Sequence, residues 1–506
     1  MRKYIYFLFA VILFTSCSSD DSQLEKMIPS NVEGIMRINV PNLLKSGKFT
    51  TDNGDFQIPT DIEQYIKANP NSFLGELLPK LQSSGLSLEN NAYLFFPKST
   101  FENCLVARIG NFELTQKWLE RQSGDHFKEL NGVSYIILGN TAYFIKDDIL
   151  LYATISSAKT KGDLIKEAAK IYETDKPNAL TNKRYAELLD SKSDIVASFS
   201  PNLLLRISKS TPMLKDLSGK FPLFRILAES DIEAVTLNIN TTDKEITIET
   251  EALSKNKDSQ FAQFMSSIET TPSDKILEPF PNSMEDIASW SVKGNSILKI
   301  KEIKTLLESA SKIPYVHTIN FNGIVNTIDG PVAFGVSKDQ VFPDEYNMVI
   351  ALASNSPQFV INEILKFGKL IGQNPERKNN EYIYEYMNKP VRVGIVDNIV
   401  YMKILDYEQT EPSMIVNPEV KKLFGKSKMA IFMNAKNAKD ESLGNLYLGS
   451  LSPTKSSGRF IPVQSKNPLQ SLIQLFDGVS AGNGAYHNEG SDITGDIVPI
   501  DKMEAI

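Results

Sequence analysis

Short apolar runs broken by turn residues recur along the chain, and twice the same motif follows the run. IMRINVPNLL at Ile35–Leu44 and IVASFSPNLL at Ile195–Leu204 each place apolar residues ahead of Pro-Asn-Leu-Leu. A strand, a turn and a helix that takes the proline in its first turn are predicted at both. SKMAIFMNAKNAKD at Ser427–Asp440 echoes them more faintly. Ala92–Ile109 predicts a hairpin turning through FFPKSTFEN, with a counterpart at Pro331–Leu352. A helix is expected after each hairpin. The first carries Leu114, Trp118 and Leu119 on one face; the second carries Phe359, Ile361, Ile364 and Leu365 and starts at Ser356 and Pro357. Two further strands then join through Asp147-Asp148 or Asp397-Asn398, short polar pairs suited to tight turns. Helices beside hairpins give an α+β chain with antiparallel sheets.

The recurrences are collinear, which sets the expected architecture. Pro29, Glu33 and Ile35 fall on Pro281, Glu285 and Ile287 at an offset of 252. Ala107 and Asn111 fall on Ala351 and Asn355 at 244, and Asp147 and Ile149 on Asp397 and Ile399 at 250. We expect a tandem duplication of an antiparallel-sheet-plus-helix unit. Its parts are a first α+β repeat at 28–254, a linker at 255–277 and a second α+β repeat at 278–506. The linker is polar, though FAQFM within it suits a short packed helix.

The N-terminus changes the picture from a folded body to an exported one. Arg2 and Lys3, an apolar run from Tyr4 to Phe14 and small residues before Cys17 have the three parts of a signal peptide, placed at 1–16. That run is about half of the ~20 residues that span a bilayer. Phe14-Thr-Ser-Cys17 resembles the lipobox of bacterial prolipoproteins, although Phe14 stands where Leu is usual. The resemblance implies that the Cys17 sulfur takes a diacylglycerol and that 17–27 is a lipidated tether. Cys104 is then left without a cysteine partner, so no internal disulfide is expected. Asp20 and Asp21 resemble the acidic export signal that sends Bacteroidota lipoproteins to the cell surface. The net charge of -7, from 54 basic and 61 acidic residues without basic clusters, argues against nucleic acid as a partner.

Candidate chemistry is sparse. Nucleophile-elbow, Walker A, H-E-x-x-H and EF-hand patterns are absent from the sequence. The three histidines are His126 in a polar stretch, His317 inside YVHTINF and His487 in GNGAYHNEG, where Gly482 and Gly484 lack the third glycine and βαβ unit of a dinucleotide site. Their surroundings suggest a solvated loop, a strand position and a flexible loop. Ser-x-x-Lys spacings at Ser156–Lys159, Ser309–Lys312 and Ser452–Lys455 come without companion motifs, and EYIYEYMNKP at Glu381–Pro390 alternates as a half-buried strand does. No catalytic, cofactor-binding or metal residue is expected.

The lipobox, the acidic tether and the opening IPSNVEGIMRINVPNLLKSG at Ile28–Gly47 together resemble a domain-of-unknown-function family of Bacteroidota lipoproteins, the 4836 type. The resemblance covers nearly all of the mature chain and implies location and shape, not activity. An outer-membrane protein is expected, lipid-anchored at the cell surface or alternatively on the periplasmic face. It would be a non-enzymatic module that binds an envelope protein or glycan, with a cleft between its halves as a natural site. The competing reading is an envelope hydrolase with an unrecognised carboxylate site.

Overall fold

The computed structural model describes residues 22–51, 56–69, 78, 84–155, 160–210, 231–254, 260–310, 318–338, 346–370, 372–378, 380–386, 389–405, 413–436, 441–463 and 466–475. The described strands of the first half are β1 (Gly34–Ile38), β2 (Ala92–Phe96), β3 (Phe101–Arg108), β4 (Lys128–Leu130), β5 (Val133–Leu138), β6 (Thr141–Lys146), β7 (Ile149–Ile155), β8 (Ile195–Phe199), β9 (Ile232–Thr241) and β10 (Ile246–Ser254). Those of the second are β11 (Asp286–Lys293), β12 (Ile328–Lys338), β13 (Tyr346–Ser354), β14 (Glu376–Lys378), β15 (Glu381–Tyr386), β16 (Lys389–Val396), β17 (Ile399–Ile404), β18 (Met429–Lys436), β19 (Ser442–Ser452) and β20 (Lys455–Pro462).

All belong to one antiparallel sheet, as expected of an α+β chain. From its outer edge the first half runs β4, β5, β6, β7, β3, β2, β1, β8, β9, β10. The second half runs β14, β15, β16, β17, β13, β12, β11, β18, β19, β20. β10 pairs with β20 and makes the sheet continuous, with Ile246 opposite Phe460 and Glu251 opposite Lys455.

Each face of the sheet carries helices because successive strand residues point to opposite sides. On one face of the first half, Ile35, Phe95, Phe144, Ile149 and Leu151 form a core with Leu164, Ile165 and Ala168 of the Lys161–Tyr172 helix. On the other, Met36, Ile38, Leu94 and Ala197 pack under Val40, Leu43 and Leu44 of the Val40–Ser46 helix and Ile62 of the Thr60–Ala68 helix. Asn39 and Asn111 begin the Val40–Ser46 and Phe112–Ser123 helices, each side chain accepting an N–H three residues on, which supplies a helix start with a missing acceptor. The hairpins at Asp147-Asp148 and Asp397-Asn398 form as predicted, Asp147 and Asp397 both taking positive φ.

Several expectations move. Leu114 is not on the packed face of its helix but 43% exposed, while Leu119 is buried. Ile35 with Ile287 and Ile149 with Ile399 occupy matching core positions, yet Ala107 with Ala351 does not. Ala351 lies opposite Tyr401, and the residue opposite Leu151 is Val106, so the offset there is 351 minus 106, or 245. A slip of one residue exchanges sheet faces.

The tether ends sooner than residue 27. Ser22–Met27 is a helix whose Leu24 and Met27 sit in the first core, with Glu25 accepting the Tyr93 hydroxyl at 2.9 Å. The 255–277 stretch is more than a linker: Gln260–Ile268 is a helix with Phe261, Met265 and Ile268 buried against Ile232, Trp290 and Met429, and Ile276 and Leu277 belong to the second core. Nor is 278–506 self-contained. A helix at 468–475 puts Leu469 and Ile473 into the core of the first half. The Gln260–Ile268 helix therefore bridges the two halves, and the 468–475 helix carries the second half's chain into the core of the first.

Candidate functional site

The two halves differ most in what covers their sheets. One row of the first half runs Leu105, Leu94, Met36, Ala197, Leu237 across β3, β2, β1, β8 and β9, and its first four residues are buried. The same row of the second half runs Ile350, Phe334, Ala288, Ile431, Leu448 across β13, β12, β11, β18 and β19. Here Ala288 is exposed, Phe334 is 44% exposed and Ile350, Ile431 and Leu448 are half-buried. Met433, two residues along β18, is 40% exposed. In the first half this face is closed by Leu43, Ile62, Leu469 and Ile473 from three helices. The Lys301–Ala310 helix holds the equivalent chain position in the second half, and none of its described side chains is buried. An apolar stretch of sheet consequently faces water, which a soluble surface seldom tolerates without a partner.

The β16–β17 end of the opposite face also lacks a covering helix, but there the strands carry polar side chains. The Lys161–Tyr172 helix covers Ala142, Phe144, Leu151 and Ala153 in the first half. Their strand equivalents are Arg392, Gly394, Tyr401 and Lys403, and among the described residues no helix lies between β17 and the short turn at Met414–Val416. The Tyr401 hydroxyl donates to Glu381 Oε1 at 2.8 Å, Arg392 Nη1 lies 3.6 Å from Glu381 Oε2, and Lys403 Nζ sits 4.8 Å from the Tyr401 ring centre. Gly394 leaves room for that ring: a Cβ there would collide with the Tyr401 hydroxyl. Burial, then the bond to Glu381, pushes the Tyr401 phenol far up, and burial pulls Lys403 down. A polar cluster around Glu381 stands here where the first half has apolar side chains under a helix.

A third feature lies at the seam. Lys48, Asp243 and Lys244 of the first half meet Pro462, Val463, Lys466 and Asn467 of the second around a recess of about 290 Å³. Asn467 donates to the Ser46 carbonyl at 2.6 Å, and Gln470 to that of Gly47 at 2.7 Å. Behind it, Asp194 Oδ2 accepts both the N–H and the hydroxyl of Thr241 at 2.6 Å. The residues leading into the 468–475 helix thus build one wall.

Residues singled out from sequence do not converge. Cys17, Asp20, Asp21, His317, His487, Gly482, Gly484, Ser156–Lys159 and Lys312 lie outside the described residues. His126 is exposed beside Glu120, 3.5 Å from Oε1, in a shallow surface dip. The Phe127 N–H, with His126 behind it, holds the Glu120 carboxyl below its ordinary value. Ser309 donates back to Thr305 O, and the Lys455 ammonium pairs with Glu251 while only the Lys455 backbone N–H donates to Ser452 Oγ. Tyr384 is buried in the half-buried β15, as alternation implies. Cys104 is a free, buried thiol that desolvation, then Glu167, raises well above its usual pKa, so it is a core residue. The open face was missed in sequence because its residues have the same apolar pattern as the covered one.

No protein-family model matches the chain, and no curated protein matches it. Among solved structures it is similar to TP0453 in crystal form III, at 13% identity over 48% of this chain and 84% of that one with a TM-score of 0.30. Crystal form IV of TP0453 gives 11% identity over 45% and 79%, with a TM-score of 0.29. Likeness this loose carries no argument. Among the described residues no helix is long and apolar enough to cross a membrane.

Proposed function

We propose that this chain is a lipid-anchored, non-enzymatic binding module of the cell envelope, made by tandem duplication, whose second half grips an envelope protein through its open sheet face. The duplication is supported by the same strand order in both halves and by Ile35 with Ile287 and Ile149 with Ile399 at matching core positions. Binding rests on one observation, the exposure of Phe334 and Ala288 where the first half buries the same row. In the first half the cover consists of apolar helix faces, so the partner that fits is a protein presenting an apolar helix rather than a glycan. Phe334→Asp would place a carboxylate in the centre of that face without touching either core. Quantitative pull-down of the tagged protein from its own cells should recover one stoichiometric envelope protein with the wild type and lose it with Phe334→Asp. Equal recovery with both would refute the assignment.

The anchor is Cys17, and the chain belongs by this reading with the 4836-type lipoproteins on the outer membrane, displayed at the cell surface through Asp20 and Asp21. Two or three acyl chains hold durably because each buried methylene contributes about 0.8 kcal/mol. Cys17→Ala should abolish palmitate labelling and release the protein from membranes. Persistent labelling would remove the anchor from the account.

A further inference from the structure

The seam recess combines features that the open face lacks. Three of its lining side chains are lysines, Lys48, Lys244 and Lys466, against one carboxylate, Asp243. Among the described residues none of these four side chains has an ion-pair or hydrogen-bond partner. Elsewhere lysines near acids pair with them: Lys428 with Glu269 at 2.9 Å and Lys455 with Glu251 at 3.1 Å. Asn467 caps the 468–475 helix, taking the Leu469 and Gln470 N–H groups itself, so those amides are spent and only the positive end of the helix dipole adds to the lysines. The recess has room for about ten waters, more than one phosphate group requires.

We infer that this recess binds a compact, multiply charged anion bearing phosphate groups, held by Lys48, Lys244 and Lys466 across the joint between the halves. Such a ligand binds only when the 468–475 helix is docked on the first half, because Lys466 and Asn467 precede that helix directly. The inference does not depend on the protein partner proposed above.

Pyrophosphate is the probe, titrated calorimetrically into the full-length protein at low salt. The wild type should bind it saturably, and each of Lys48→Ala, Lys244→Ala and Lys466→Ala should weaken binding about ten-fold, the loss of one charge-assisted contact. Asp243→Asn should tighten it, while Lys301→Ala, far along the chain, should leave it unchanged. Sedimentation with phosphatidylcholine vesicles carrying phosphatidic acid, competed by pyrophosphate, would assign the phosphate to a lipid; binding of free pyrophosphate without vesicle capture would assign it to a soluble ligand. Absence of saturable binding, or a triple-lysine variant that binds as the wild type does, would overturn the proposal.

Discussion

Glu363 shows how a single side chain carries pH into stability. It is buried on the Pro357–Leu370 helix, accepts the Asn320 N–H at 2.9 Å and is bonded by Lys366 at 2.6 Å. Burial alone would raise its pKa, but those bonds outweigh it and the net shift is downward. A carboxyl held below its unfolded value stabilises the fold above about pH 4.3 and loses that contribution as pH falls through the lower folded value. Glu363→Gln should therefore unfold at lower urea than the wild type at pH 7, and the gap should narrow at an acid pH below the ordinary carboxylate range. A gap that stays the same at both pH values would contradict the assignment. Residue-level reading of sequence succeeds where chemistry is local. Asp147-Asp148 and Asp397-Asn398 announce their turns because short polar side chains tolerate positive φ. Ala107 and Ala351 mislead because two small apolar residues align equally well in either of two registers.

Among elements, alternation tells which side of a strand is buried but not which strand lies beside it. The β10–β20 pairing and the packing of the Gln260–Ile268 and 468–475 helices across the two halves were invisible for that reason. So were the short edge strands Lys128–Leu130 and Glu376–Lys378, whose exposed charges blunt both ends of the sheet against further pairing. The 468–475 helix gives this a measurable form. A chain ending at Lys466 keeps every described strand but loses Leu469 and Ile473 from the first core and leaves the Ser46 and Gly47 carbonyls without Asn467 and Gln470. Two buried aliphatic side chains are worth about 3–6 kcal/mol. The truncated chain should unfold at clearly lower urea and bind a hydrophobic dye. An unchanged midpoint would mean that the halves are not interlocked.

At the scale of the molecule, one sheet has been finished in two ways. Both faces of the first half are closed by its own helices and by the 468–475 helix. In the second half one face is polar at its β16–β17 end, around Glu381, Arg392, Tyr401 and Lys403, beside a core that includes Ile287, Val420 and Phe424, while the other is apolar and open around Ala288, Phe334 and Met433. A chain that needed only to fold would gain by covering or polarising that second face, as it has the first. Keeping it open has a purpose if another protein covers it. The direct test is photo-crosslinking in the protein's own cells, with a benzophenone amino acid in place of Phe334. The account predicts one discrete adduct with an envelope protein, absent when Ile431→Asp is added and absent when the probe replaces the exposed Lys183. No adduct at 334, or the same adducts from both probe positions, would contradict it.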